Sequence, residues 1–385
     1  MLARGFLAGS TAAVPDWLVA AAAVLTQLGD AWFVYLGLAL LYWLGDRRLA
    51  ANPRRVGATL IAVALGALAI VVGLKSLFAL PRPPGAAEAT APAWLPGLLE
   101  LAFVDAATGD GFGFPSGHAV ASTMVYGGLA TFLDVGRRRD RLRAAAAFVG
   151  VVATTRVVLG VHYLADVAVG VAVGVVGLVA FQRVARSGFR PHPDRAFFLA
   201  GVLGVVACAV AAAGGHGGEV LEAGIAAGGG FGGYAVWRLR GTESAPVGGV
   251  GVAAGLVGIL ALFGGAYGVT TAGLPYVFGV VPDTTPYRLL AVAPLSFAAV
   301  ALIVAWPTVV DRVRRGAGET PDGEANDGDD VSELIAEAET ETDAGAETDA
   351  GAETDAGAEA DAGAETEASS GEGSERDADA TGRVE

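Results

Sequence analysis

Long apolar stretches recur along this chain and alternate with short polar segments. A helix needs about 20 apolar residues to cross a bilayer. Six stretches reach or nearly reach that length: residues 56–80, 144–161, 164–182, 196–213, 247–268 and 288–310. A further apolar stretch covers residues 118–134. The pattern predicts an all-α protein, a polytopic bundle of transmembrane helices.

The first apolar stretch, residues 17–45, is interrupted by the polar run Gln27-Leu28-Gly29-Asp30. Two structures fit residues 1–55. One is a hairpin of two spans, and the other is an interfacial helix over 17–28 followed by a first span over 31–45. We favour the hairpin because it places the N-terminus inside the cell.

Arginine-rich loops orient the predicted bundle. They are residues 46–55, 136–143, 183–195, 238–240 and 312–315. An even number of crossings separates each from the one before, so all share one side, which the positive-inside rule makes the cytoplasm. The remaining loops, 81–117, 161–164, 214–219 and 269–287, then face outward.

Charge is distributed unevenly along the 385 residues. The net charge of −15 arises from residues 316–385, which carry −22, whereas residues 1–315 carry +7. Within the acidic segment, residues 341–364 repeat Glu-Thr-Asp-Ala-Gly-Ala three times and end with the variant Glu-Ala-Asp-Ala-Gly-Ala. Like charge without apolar residues leaves nothing to bury, so we expect a disordered acidic tail on the cytoplasmic side.

Polar residues able to do chemistry cluster at the predicted outer ends of the apolar stretches. Ionisable groups beside a membrane span are expensive unless they have a function. The group comprises three cations, two histidines, one carboxylate and a short polar turn: Lys75, Arg82, Arg156, His118, His162, Asp166, Ser116 and Gly117. Phosphoryl transfer through a histidine requires cations that bind the phosphate, a nucleophile, an acid that orients the nucleophile, and a proton donor.

Local patterns refine these expectations. Ser116 can cap the helix that follows it, and a helix N-terminus at Gly117 offers unpaired N–H groups to an anion. A spacing of four puts His162 and Asp166 on one helical face if a helix runs through both, so that the carboxylate accepts from one ring nitrogen. The alternatives are purely structural roles: a lysine whose ammonium group reaches the membrane interface, an ordinary serine N-cap, and a buried histidine–aspartate pair that serves packing.

Three motifs of this chain resemble a known signature. Lys75 with Arg82-Pro83, then Pro115-Ser116-Gly117-His118, then Thr155-Arg156 through His162 to Asp166, are similar in order and spacing to the type 2 phosphatidic acid phosphatase and vanadium haloperoxidase superfamily. The resemblance covers roughly residues 56–182, about a third of the chain, with Thr155 standing where serine is most usual.

The resemblance implies a role for each residue. His162 is the nucleophile that forms a phosphohistidine, Asp166 orients it, and His118 protonates the leaving oxygen. The phosphate oxygens are bound by the remaining members of the set: Lys75, Arg82, Arg156, Ser116 and the N–H of Gly117. The resemblance implies no metal or other cofactor.

These features favour an integral-membrane hydrolase acting on a lipid phosphate or a polyprenyl diphosphate at the outer face of the cell membrane. The main alternative is a phosphotransferase that passes a phosphoryl group to a sugar or inositol hydroxyl. A vanadium haloperoxidase and a transport or scaffold protein are further alternatives. We expect residues 56–190 to form the catalytic core and 191–315 accessory membrane helices without ionisable residues suited to chemistry. The expected partners are the bilayer and the lipid phosphate, and no nucleic acid.

Overall fold

The computed structural model describes residues 14–187, 190–240, 247–268 and 285–316. Within these segments the chain is α-helical, as the apolar pattern predicts, apart from one antiparallel pair of two-residue strands, β1 (Arg186–Ser187) and β2 (Arg190–Pro191). The helices are α1 Asp16–Thr26, α2 Ala31–Leu44, α3 Pro53–Phe78, α4 Gly97–Ala107, α5 Gly117–Phe132, α6 Arg138–Val158, α7 Leu164–Ala185, α8 Pro193–Ala213, α9 Gly217–Arg240, α10 Gly249–Gly268 and α11 Thr285–Gly316. The expected acidic tail lies outside the described residues.

Helix α3 lies at the centre of the bundle. Pro53 occupies its first turn, where a missing N–H costs nothing, and Ala79 ends it in the left-handed conformation with its N–H on the Lys75 carbonyl. Its 26 residues correspond to a length of about 39 Å. It packs against α2, α5, α8 and α9 and buries almost its whole middle. Lys75 therefore lies near one end of a buried central helix that is long enough to cross a membrane.

In the part of the chain that the structure describes, four helical segments are long and apolar enough to cross a membrane. They are α3, α7, α8 and the part of α11 from Val292 to Gly316. Valines on the outer sides of α7 and α8, such as Val176 and Val206, are exposed, as expected for a face in contact with lipid tails. The prediction of a polytopic membrane protein is confirmed at this level.

Three of the expected spans fall on helices outside that group. The stretch 118–134 forms α5, which has only 16 residues. The stretch 144–161 forms part of α6, whose ends carry Arg143 and Arg156. The stretch 247–268 forms α10, Gly249–Gly268. Helix α5 is short for a full crossing, and α6 carries arginines among its apolar residues, so neither belongs to the four long apolar segments.

The N-terminal stretch is a bent continuation, which contradicts the expected hairpin. A 3-10 turn at Gln27–Gly29 joins α1 to α2, and the two helices are bent by 44°, as in a broken span or a re-entrant loop. Hydrogen bonding continues through the turn, since Asp30 N–H donates to the Gln27 carbonyl and Val34 N–H to the Asp30 carbonyl. The chain therefore bends at the polar run and does not fold back antiparallel.

The arginine-rich loops meet at one end of the bundle. Asp134 N–H donates to the Leu49 carbonyl at 2.8 Å, and the Asp134 carboxylate accepts from Ala51 N–H at 3.2 Å. Arg55 Nη1 lies 3.4 Å from the Pro191 carbonyl. The residues singled out for chemistry lie beyond the opposite end of α3. Basic loops and candidate site are thus separated by the length of the bundle.

Glycine permits the close packing of α8, α9 and α11. A Cβ built on Gly230 would lie 2.3 Å from Gly201 N, and one on Gly228 would lie 2.0 Å from the Ala293 carbonyl oxygen. Small residues allow helix backbones to approach in this way in a membrane. The glycine-dense stretch of α9, Gly228 to Gly233, therefore serves close helix packing.

Replacing Gly230 by leucine should therefore destabilise the protein by at least about 1–3 kcal/mol, because the side chain would meet the α8 backbone. A matched control is Gly218→Leu in the same helix, where a Cβ meets nothing within 4 Å. Thermal unfolding of both variants in detergent checks this. Equal melting temperatures would contradict the proposed close contact.

Candidate active site

His162 and Arg82 are in direct contact at the end of the bundle opposite the basic loops. Arg82 Nη1 lies 3.1 Å from His162 Nε2, and His162 Nδ1 lies 2.8 Å from the Gly113 carbonyl oxygen. A carbonyl can only accept, so Nδ1 carries the ring proton and donates it to Gly113. Nε2 then keeps its lone pair and accepts from Arg82. The geometry therefore identifies Nε2 as the nucleophilic nitrogen.

Asp166 has a different relation to His162 from the one that the spacing predicted. Helix α7 begins at Leu164, after His162, so no helix runs through both residues. Asp166 Oδ2 lies 3.8 Å from His162 Nδ1 and accepts from Tyr163 N–H at 3.0 Å. The carboxylate is buried and close enough to act on the ring electrostatically. The nearer orienting group is the Gly113 carbonyl.

Gly113 was not predicted as a site residue. It is buried, and a Cβ there would lie 3.0 Å from Arg82 Cα and 3.1 Å from the Pro81 carbonyl oxygen. Only glycine allows the backbone to pass this close. The sequence contains 57 glycines, and nothing in the pattern distinguishes this one, because its role depends on a contact across 49 positions.

Arg82 is held by the backbone. Its Nε donates to the Asp110 carbonyl at 2.9 Å and its Nη1 to the Val161 carbonyl at 3.2 Å. Burial lowers the pKa of the Arg82 guanidinium, yet an arginine stays charged at neutral pH. It follows that a permanent cation stands beside the nucleophilic nitrogen of His162.

The ionisation of His162 suits a nucleophile. Burial lowers the pKa of its imidazole, the Asp166 carboxylate opposes that effect, and the cations Arg82, Arg156 and Lys75 lower it further. The net direction is below the ordinary value for histidine. The ring is therefore neutral at pH 7, as attack on phosphorus requires.

Ser116 stands at the N-cap of α5, but its hydroxyl caps nothing. The side chain makes no cap hydrogen bond, and Oγ is buried without a partner among the described residues. This corrects the expectation of a capping serine. A buried hydroxyl usually finds a partner, so the Ser116 hydroxyl is available to donate a hydrogen bond to a bound ligand. Ser116 N–H donates to the Asp166 carbonyl at 3.0 Å, which ties the second motif to the third.

Arg156 is buried in the last turn of α6. Its Nη1 donates to Thr26 Oγ1 at 2.9 Å and to the Ala106 carbonyl at 3.3 Å, while Nε has no partner in the described part of the chain. The neighbouring Thr155 hydroxyl donates back to the Val152 carbonyl. Arg156 lies within electrostatic range of both His118 and His162.

Lys75 has charged neighbours that the sequence did not predict. Lys75 lies within electrostatic range of Arg82 and Arg156, and also of Glu219 and Glu222. Both glutamates belong to the first turns of α9, so the accessory helices do carry charge to this end of the bundle. The other two histidines differ: the His216 ring packs edge-on against Phe112, and His192 lies near Asp194 beside the basic loops.

His118, in the first turn of α5, places its Nε2 3.2 Å from Asp30 Oδ1. The approach is at ion-pair distance but outside hydrogen-bond geometry. Asp30 comes from the polar run that interrupts the first apolar stretch. That interruption was the only sequence signal available for it.

Residues 56–188 match the family model of the PAP2 superfamily. This segment of the chain belongs to the PAP2 superfamily. It contains every residue singled out above for phosphate chemistry, from Lys75 to Asp166. Membership suggests phosphatase activity on phosphate esters. No curated protein and no solved structure matches the chain.

Elements outside the PAP2 segment complete the surroundings of the site. Thr26 and Asp30 precede the segment and contact Arg156 and His118. Glu219 and Glu222 follow it and act on Lys75. The charge environment of the motif residues in this chain therefore depends on both flanking regions.

One cavity adjoins His162, and a second cavity shares Phe103 with it. One, of about 270 Å³, is lined by His162, Tyr163 and Glu88 together with Phe103. The other, of about 660 Å³, is mostly apolar and is lined by Trp17, Trp32, Trp94, Leu99 and again Phe103. Phe103 of α4 thus separates a space beside the histidine from a wider apolar space.

Proposed function

We propose that this chain is an integral-membrane phosphatase that hydrolyses a lipid phosphate or a polyprenyl diphosphate through a phosphohistidine at His162. The observation that carries the proposal is the unprotonated Nε2 of His162, fixed by the Gly113 carbonyl and set 3.1 Å from a guanidinium nitrogen of Arg82. A neutral imidazole nitrogen beside a fixed cation is suited to attack a bound phosphoryl group.

The first chemical step transfers the phosphoryl group to the enzyme. His162 Nε2 attacks phosphorus, the bond from phosphorus to the leaving oxygen breaks, and His118 gives its proton to that oxygen. The phosphorylated ring carries a positive charge because Nδ1 keeps its proton. The Gly113 carbonyl at 2.8 Å and the Asp166 carboxylate at 3.8 Å stabilise that charge.

The second step releases phosphate. A water molecule attacks phosphorus while His118, now neutral, accepts its proton, and the electron pair of the P–N bond returns to Nε2. Charge on the transferring group spreads over three oxygens, so several fixed donors stabilise it together. Arg82, Arg156, Lys75, the Ser116 hydroxyl and the Gly117 N–H are the proposed donors. The unpartnered Ser116 Oγ and Arg156 Nε support this assignment.

A lipid substrate is supported by the two cavities that share Phe103. The phosphate would lie beside His162 in the smaller one, and the hydrocarbon chain would extend into the apolar one. Trp94, Leu95 and Leu99 line this apolar space. Tryptophans are enriched at membrane interfaces, where their rings span apolar and polar surroundings.

The proposed active site lies on the extracytoplasmic side and the C-terminal tail on the cytoplasmic side. The contacts among the arginine-rich loops at the opposite end support this orientation, because arginine-rich loops favour the cytoplasm. Within this proposal residues 56–190 are the catalytic core and 191–315 the accessory helices, with Glu219 and Glu222 contributing charge at the edge of the site.

Phosphate release by the purified full chain tests the function. We expect release from decyl phosphate, phosphatidate and farnesyl diphosphate, undiminished by excess chelator and inhibited by vanadate, which mimics five-coordinate phosphorus. We expect kcat/KM for the lipids to exceed that for glycerol 3-phosphate by roughly 10-fold or more, because burying a hydrocarbon chain contributes binding energy.

Each arm of this experiment separates one part of the proposal. Equal turnover of glycerol 3-phosphate would contradict the lipid part, and loss of activity in chelator would contradict the mechanism. Transfer of the phosphoryl group to added inositol or glucose in preference to water would favour the phosphotransferase instead.

A further inference from the structure

The break in the N-terminal span is docked against the helices that carry the second and third motifs. Tyr126 of α5 donates its hydroxyl hydrogen to the Leu28 carbonyl at 2.7 Å. A Cβ built on Gly29 would lie 2.6 Å from Val152 Cγ1 of α6 and 3.0 Å from His118 Cδ2. The break therefore sits directly on the His118 ring, at a distance that only glycine allows.

Asp30 follows this glycine and occupies the N-cap position of α2. An N-cap aspartate ordinarily accepts from the N–H groups of the following turn. Here the side chain makes no cap hydrogen bond, and its Oδ1 lies 3.2 Å from His118 Nε2. The carboxylate is thus directed away from its own helix and toward an imidazole of the PAP2 segment.

The break in the N-terminal span, residues 26–30, makes a second contact with the candidate active site. The Thr26 hydroxyl accepts from Arg156 Nη1 at 2.9 Å, and both residues are buried. Asp30 also lies within electrostatic range of Arg156. Two side chains of a five-residue segment outside the matched range 56–188 therefore contact two residues of the PAP2 signature.

We propose that Asp30 is a positioning residue for the reaction: it orients the His118 ring and stabilises its protonated form, so that His118 can give a proton to the leaving oxygen. The proposal rests on the proposed phosphatase function. A carboxylate beside an imidazole favours the charged ring and fixes its orientation. The pairing leaves the second ring nitrogen to serve the leaving oxygen.

The proton balance is that of the two steps already described. In the first, His118 loses its proton to the leaving oxygen as the P–O bond breaks, and Asp30 exchanges no proton. In the second, His118 regains a proton from the attacking water. Asp30 touches neither phosphorus nor the leaving group, so its effect on the first step must depend on how much the leaving oxygen needs that proton, whereas its effect on the second step is the same for every substrate.

The test compares two leaving groups in the full-length protein. An alkoxide leaves poorly without protonation, whereas p-nitrophenolate leaves well without it. For Asp30→Asn we expect kcat/KM for decyl phosphate, which reports the first step alone, to fall roughly 10- to 100-fold, and kcat/KM for p-nitrophenyl phosphate to fall by less than about threefold. Asp30→Glu keeps the charge and should recover part of the lost activity on decyl phosphate.

Two further variants make the test specific. Asp16→Asn removes the same charge from exposed α1 and should leave both substrates unchanged. His118→Asn should show the same dependence on the leaving group, and adding Asp30→Asn to it should cost nothing more, since both act through one proton transfer.

Every other result overturns the inference. An equal fall for both substrates would indicate a structural role for Asp30. A lower KM with unchanged kcat would mean that the carboxylate competes with phosphate. Absence of turnover of either substrate by the unmodified protein would instead contradict the phosphatase function itself, and the inference with it.

Discussion

Replacing His162 by alanine is expected to abolish phosphate release, lowering kcat by at least about 10³-fold. The variant lacks the nitrogen that forms the P–N bond, and no other described imidazole contacts both Arg82 and the Gly113 carbonyl. Phosphate release from decyl phosphate by the purified variant measures the loss. A phosphorylated form trapped from the unmodified protein at alkaline pH should carry its phosphate on His162.

His192→Ala is the matched control, because His192 lies beside the basic loops near Asp194. It should retain full activity. If His162→Ala retains most of the activity while remaining folded in detergent, His162 is not the nucleophile. If both variants lose activity together, the loss reports on folding, and the melting temperatures should show it.

Replacing Arg82 by glutamine should lower kcat roughly 10²- to 10³-fold, the cost of removing one preorganised donor from a charge-stabilising site. The substitution removes the cation 3.1 Å from the nucleophilic nitrogen. It also reduces the cationic field that helps to keep the pKa of His162 low. Steady-state kinetics should show the loss in kcat more than in KM, because the donor matters most as charge develops.

Arg141→Gln tests whether the effect belongs to the site. Arg141 also donates to backbone carbonyls, those of Ala130, Val135 and Gly136, but at the basic end of the bundle. Both variants lose an arginine bound to backbone, so both should lose some stability. Only Arg82→Gln should lose activity, and a comparable loss in Arg141→Gln would remove the assignment.

The polar residues of the site could be predicted because they interrupt strongly apolar sequence. Lys75, Arg82, His118, Arg156, His162 and Asp166 all lie at the ends of apolar stretches, and the structure places them at one end of the bundle. The shared side of the arginine-rich loops could be predicted in the same way, and these loops meet at the other end of the bundle. The charge of a residue and the length of an apolar stretch are properties of the local sequence, so folding does not change them.

The errors fall where the backbone had to choose between local alternatives. Residues 17–45 were expected to form a hairpin or an interfacial helix followed by a span, whereas the structure bends at Gly29, which packs against Val152 and His118. The spacing of His162 and Asp166 suggested a common helix, but α7 begins between them and Gly113 takes the nearer position. Neither contact is visible in the spacing of the residues.

By itself the sequence determined that this protein is a helical membrane protein with a set of cations and histidines at one end, because solvation energies act on each residue independently of its distant neighbours. Only the tertiary structure decided which groups serve those residues: the Gly113 carbonyl for His162, Asp30 for His118, Thr26 for Arg156 and the α9 glutamates for Lys75. Such partners are set by packing between segments far apart in the chain, and that packing depends on steric fit at a few small residues.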